Sequence, residues 1–119
     1  MPSIETFPEL LLKGDGRTRG LAHGEHFRQR IECTVDFYLR LFALPEVQLK
    51  EQARYYANVI RRFNADYADE IEGIALGAGF EPWLIYALNS RSEILNNCGV
   101  PECTAAINTR ESLLCQNWD

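Results

Sequence analysis

The chain has little that would commit it to a membrane, a nucleic acid or an oxidising compartment. No apolar run approaches the roughly 20 residues that cross a bilayer, so no membrane partner is expected. Positive charge is not in excess: 12 Lys and Arg stand against 17 Asp and Glu, a formal net charge of −5. That balance removes the electrostatic footprint by which proteins hold phosphate backbones, and no nucleic-acid partner is expected. Met1-Pro2-Ser3-Ile4-Glu5 lacks the basic-then-apolar order of a secretory signal, so a cytoplasmic location is the expectation. The four cysteines (Cys33, Cys98, Cys103 and Cys115) are then expected to be free thiols. They offer no Cys-x-x-Cys pair of the kind that zinc sites use. His23 and His26 lie close in sequence but have no nearby third ligand, so neither a metal nor another cofactor is expected. Internal repeats, low-complexity tracts and flexible linkers are absent.

What is present is of single-domain size, 119 residues with 46% hydrophobic and 24% charged residues, enough to bury a core. Phe7 to Gly14 reads as a short strand closed by a Gly14-Asp15-Gly16 turn. A helix is expected from Arg19 or Gly20, with Phe27, Ile31, Val35, Tyr38 and Phe42 on one face, ending at Leu44-Pro45. The next begins near Pro45-Glu46. Its stripe runs through Leu49, Ala53, Tyr56, Ile60, Phe63 and Tyr67, and is expected to pack on the previous helix as a hairpin. The period continues through Ile71, Ile74 and Ala78 after a kink near Asp66 to Asp69, and stops at Gly77 and Gly79. Pro82 opens a further helix with Leu84, Leu88, Arg91 and Leu95 in line, closed by Asn96-Asn97-Cys98-Gly99. From Cys103 the period changes to two. Residues 103–109 and 112–118 read as a hairpin around Arg110-Glu111. The class is therefore α+β: a mostly helical N-terminal region followed by a β-hairpin.

The first strand residue, Cys103, suggests specific chemistry. A cysteine thiol can attack the carbonyl before it when the backbone is strained. Hydrolysis of the resulting thioester splits the chain and frees the cysteine α-amine. That amine has an unperturbed pKa of about 7.7–8.0, so it serves as a base near neutrality. Nucleophile and base then reside in one residue, and Asp119 on the returning strand could orient the amine. The bland reading of a cysteine at a strand edge is a small buried hydrophobe. Cys115, in mid-strand, is read as packing.

Five segments, in order, resemble the acyl-coenzyme A:6-aminopenicillanate acyltransferase family, a branch of the N-terminal-nucleophile hydrolases. They are Arg19-Gly20-Leu21-Ala22-His23-Gly24, the run from Glu70 to Gly79, Asn89-Ser90-Arg91-Ser92-Glu93, Cys103-Thr104-Ala105, and Gln116-Asn117-Trp118-Asp119. The similarity runs from about residue 10 to Asp119. It implies a proenzyme cleaved between Glu102 and Cys103. Residues 1–102 would be the helical pro-region or small subunit, and residues 103–119 the start of the catalytic region, whose hairpin is the first of an αββα core. By that resemblance Cys103 is the nucleophile, its freed amine the base, and Asp119 the supporting carboxylate. Asn89, Arg91 and Glu93 would form a buried ion-paired network tying helix to hairpin.

The implied partners are a small-molecule acyl donor, acyl-CoA or an amide, an amine or water as acceptor, and the remainder of the catalytic subunit. Glu102 stands where the namesake enzyme has glycine, and a glutamate enters unusual backbone angles less freely. The family's later asparagine and arginine have no counterpart here, so no oxyanion hole is complete and this piece is expected to be inactive by itself.

Other marked residues have structural readings. Gly24 is expected to serve close helix packing rather than substrate contact. Gly73, Gly77 and Gly79 end a helix rather than starting one, the wrong sense for a phosphate cradle. Trp83 and Trp118 read as core or interface aromatics, and Arg61-Arg62 as a solvated face. The rival to the enzymatic reading is a non-catalytic helical module that binds a partner through its apolar stripes. A weaker rival is a thiol-based redox or metal protein built on Cys98, Cys103 and the histidines.

Overall fold

The computed structural model describes residues 7–97 and 104–117. Among these residues six helices precede a two-stranded sheet: α1 (Gly16–His26), α2 (Arg28–Phe42), α3 (Glu46–Phe63), α4 (Ala65–Ala78), α5 (Pro82–Asn89), α6 (Arg91–Asn97), β1 (Thr104–Asn108) and β2 (Leu113–Asn117). At this level the molecule is mostly helical with a small antiparallel sheet, an α+β arrangement.

The expected strand at 7–14 does not form. Residues 7–13 have neither helix nor ladder, and Phe7 and Leu11 are exposed. The Gly14-Asp15 pair belongs to a helix start instead. Gly14 adopts φ 96°, and Asp15 caps α1 by accepting from the Thr18 backbone N–H at 2.8 Å. The helix therefore begins at Gly16, ahead of the expected Arg19.

Three continuous periodic runs are each broken at one residue. Phe27 separates α1 from α2. Asn64, extended at φ −158° and ψ 110°, ends α3 and caps α4 by accepting from the Asp66 N–H at 2.9 Å. Ser90 separates α5 from α6. The start at Pro45-Glu46 and the Pro82 start are observed. Gly79 ends α4 in the left-handed conformation at φ 79°, whereas Gly77 lies inside the helix.

Helix pairing also differs from expectation. α2 does not form a hairpin with α3. It packs instead on α4, α5 and α6, while α3 packs on α5 and α4. The connection explains this: left-handed Ala43 and extended Pro45 redirect the chain between the two helices. The shared core is Val35, Phe42, Leu49, Ala53, Ala68, Ile71, Ala75, Ile85, Tyr86, Ala87 and Ile94. The tail of the expected α3 stripe leaves it, with Phe63 and Tyr67 exposed and their rings 6.2 Å apart.

The closest pairing is α1 on α4, and it is made by glycine. Gly16, Gly20 and Gly24 are the buried residues of α1. They face, in the same chain sense, the backbone at Asp66, at Glu70 and at Ile74 to Ala78. From the other side Gly73 and Gly77 of α4 face the backbone of α1 between Arg17 and Glu25. A β-carbon at Gly73 would lie 2.6 Å from the Arg17 carbonyl oxygen. Neither helix can carry side chains there, so the two backbones meet directly. The packing role expected for Gly24 is observed, and Gly73 and Gly77 share it.

Candidate functional site

The hairpin is the element on which the expected chemistry rests. β1 and β2 pair antiparallel with Thr104 opposite Asn117, Ala106 opposite Cys115, Ile107 opposite Leu114 and Asn108 opposite Leu113. The turn is local: Asn108 Oδ1 accepts from the Arg110 N–H at 3.0 Å, and Ser112 takes φ 52°. Glu102, Cys103 and Asp119 lie outside the described residues, as do Cys98 and Trp118. The described ladder begins one residue after Cys103 and ends two residues before Asp119. Ile107 and Leu114 share one face, and Leu113 lies on the other. All three are exposed, and no helix packs on either strand among the described residues.

Asn89, Arg91 and Glu93 sit at the α5–α6 junction, and all three are exposed. Asn89 Nδ2 donates to the Ile85 carbonyl at 2.9 Å, and Arg91 Nη1 to the Leu88 carbonyl at 3.1 Å. The Arg91 guanidinium also lies 5.8 Å from the Tyr38 ring centroid, a link from α6 to α2. Among the described residues, therefore, these three do not build the buried ion-paired network expected of them. Asn89 bonds within its own helix, and Arg91 reaches back to α5 and to the Tyr38 ring of α2.

Two of the resemblance-carrying segments do come face to face. Arg19–Gly24 and Glu70–Gly79 are the two sides of the glycine contact. Arg19 clamps its mouth: Nη2 lies 2.7 Å from Asp66 Oδ2 and 2.8 Å from Glu70 Oε2, while Nη1 donates to the Gly14 carbonyl at 2.7 Å. The Gly16 N–H donates to Asp66 Oδ1 at 2.7 Å. The Arg19 guanidinium, aided by that N–H, holds the Asp66 carboxyl below its ordinary value. The two carboxylates raise the Arg19 guanidinium in turn. No local pattern signals this clamp, because its partners are some fifty residues apart and only the helix pairing joins them.

A second clamp ties α3, α4 and α5. Arg61 Nη2 reaches Glu72 Oε1 at 2.9 Å and Asp69 Oδ1 at 3.1 Å, so this arginine lies on an exposed face, as expected, and pairs there with two carboxylates. The Tyr86 hydroxyl donates to the same Glu72 oxygen at 2.9 Å and lies 3.3 Å from the Ala68 carbonyl. Burial first, and the anionic neighbour second, push Tyr86 up to about 12. Trp83 is half-buried against the core, and its Nε1 donates to Glu81 at 2.7 Å.

His23 and His26 both set ring edges against Phe27. No three His, Cys, Asp or Glu side chains are grouped to hold a metal among the described residues. Cys33 and Cys115 are exposed free thiols, so Cys115 does not take the packing role expected of it within the described residues. No helix among them is long and apolar enough to cross a membrane. Compared with family models and with curated proteins, the chain has no match.

Proposed function

We propose that this chain is the N-terminal part of a self-processing cysteine N-terminal-nucleophile enzyme similar to the acyl-coenzyme A:6-aminopenicillanate acyltransferase family. The observation that carries the reading is the ladder register. Thr104, which follows Cys103, pairs with Asn117, which precedes Asp119 by two residues. That register supports a nucleophile and a carboxylate at the same end of one hairpin. Ile107 and Leu114 on one face and Leu113 on the other are exposed apolar side chains, which further layers of a larger core could cover.

In the proposed cycle the Cys103 thiol first attacks the Glu102 carbonyl carbon, and the C–N bond breaks to leave a thioester. Water hydrolyses it, giving the Glu102 carboxylate and a free α-amine on Cys103. In catalysis that amine takes the thiol proton. The sulfur attacks the acyl carbon of a CoA thioester or amide and releases the CoA thiol or amine. The acyl-thioester then passes its acyl group to an amine or to water, regenerating the thiol. Asp119 holds the amine in orientation and steadies its charged form. The further strands and the oxyanion hole belong to the remainder of the catalytic subunit.

Mass spectrometry of the full-length protein should find a break between Glu102 and Cys103, and Cys103→Ala should abolish it. A wild-type protein that is intact and fully active would refute the proposal.

A second reading, a helical interaction module, is favoured by one observation. Tyr55, Val59 and Phe63, at successive i+4 positions of α3, form an exposed apolar line. Light scattering after size-exclusion separates the two. A stable monomer that binds no apolar-surface dye counts against the module.

A further inference from the structure

α3 carries two pairs of residues one turn apart that meet the start of α5. Ala53 and Ala57 are small, and opposite them stand Pro82 and Trp83. The space left is about 210 Å³, below the range of roughly 300–1,000 Å³ that drug-sized ligands need. Lys50 and Arg54 line the same cleft. Lys50 Nζ lies 5.2 Å from the Trp83 ring centroid and 3.0 Å from Glu46 Oε1. Arg54 has no ion-pair or hydrogen-bond partner among the described residues. Two cations at i and i+4 repel, and Glu46 offsets only one of them. Glu81 sits at the Trp83 edge of the cleft, so what the cleft offers a ligand is the unpartnered Arg54 guanidinium rather than a net positive charge.

Its other polar groups are already engaged. The Trp83 N–H is given to Glu81 and the Tyr86 hydroxyl to Glu72, so these residues offer only ring surface. A ligand that suits the cleft has one anionic group for the arginine fork, a short apolar body, and no further polar atoms.

We infer that the α3–α5 cleft binds a small monocarboxylate whose apolar body is about the size of one aromatic ring. This site shares no residue with the Cys103 chemistry and stands or falls independently of it. The test is an amide and indole NMR titration of the intact chain with sodium benzoate at constant ionic strength. Saturable shifts are expected at the Ala53 and Ala57 amides and the Trp83 indole N–H. Sodium acetate, which lacks the body, and benzyl alcohol, which lacks the charge, should each bind at least about tenfold more weakly, a difference of roughly 1.4 kcal/mol.

Arg54→Gln, at an exposed position, should weaken benzoate about tenfold by the same conversion, and Ala57→Leu should abolish the saturable shifts by filling the cleft. Equal binding of acetate or benzyl alcohol would overturn the inference. So would undiminished benzoate binding by Arg54→Gln, a change that leaves the buried core untouched should Ala57→Leu fail to fold.

Discussion

At the residue scale, stability turns on atoms that are missing. Gly20 faces the Glu70 carbonyl so closely that a β-carbon would fall inside its van der Waals envelope, and the obstacle is backbone. Alanine favours a helix interior over glycine by about 1 kcal/mol. Overpacking against backbone costs typically 1–3 kcal/mol, occasionally more, and here no rotamer can relieve it. Gly20→Ala is therefore expected to lose about 2 kcal/mol net by the same overpacking scale, read as a lower urea midpoint. An unchanged or raised midpoint would show that α1 does not sit on α4 backbone to backbone.

Tyr86 gives a second handle. Its folded value of about 12 stands above the ordinary 10, so the folded state holds this proton more tightly than the unfolded chain. The associated stability is complete below pH 10 and drains away as pH rises through 12. An ultraviolet titration should show one tyrosine ionising after the others. Tyr86→Phe should remove that late step and cost about 1 kcal/mol at neutral pH, the scale of one hydrogen bond. A late step that survives in Tyr86→Phe would assign it to another ring.

At the element scale the hairpin and the helices should behave as materials of different stability. A lone two-stranded ribbon is marginal in water. β1–β2 packs on no helix among the described residues, and Ile107 and Leu114 are exposed. Hydrogen exchange should find the ladder amides of 104–117 poorly protected and those of α4 strongly protected. Comparable protection in both would mean that the hairpin is covered.

The same contrast explains what can be read in the sequence. Helix starts at Pro45-Glu46 and Pro82 are legible because proline acts locally. The hairpin is legible because a change of period to two is also local. The start of α1 is not, because its buried face is Gly16, Gly20 and Gly24, which carry no hydrophobic signal for a period to register. The breaks at Phe27, Asn64 and Ser90 stay hidden because one interrupted residue hardly shifts the phase of an apolar stripe. The expected α2–α3 pairing fails because a short link suggests neighbours, while backbone angles at Ala43 and Pro45 decide direction. Among the described residues Asn89, Arg91 and Glu93 are exposed rather than gathered in a buried network, because residue types alone do not say whether polar side chains turn inward.

At the scale of the whole molecule, the helical part closes on itself without the hairpin. Every residue of the buried core lies between Val35 and Ile94. Both clamps, Arg19 with Asp66 and Glu70 and Arg61 with Asp69 and Glu72, close within residues 19–72. The glycine contact closes between residues 16 and 78. No extensive packing of a helix on a strand among the described residues adds to these. A chain ended after Glu102 should therefore keep its helical circular dichroism, and its melting temperature should move by no more than the few degrees that ~0.5 kcal/mol produces in a domain of this size. The proposed processing step would then separate two parts without unfolding the first. A helical region that melts far earlier or loses its helicity once residues 103–119 are removed would show that the hairpin holds the helices together, and cleavage before Cys103 would have to occur in an already assembled enzyme.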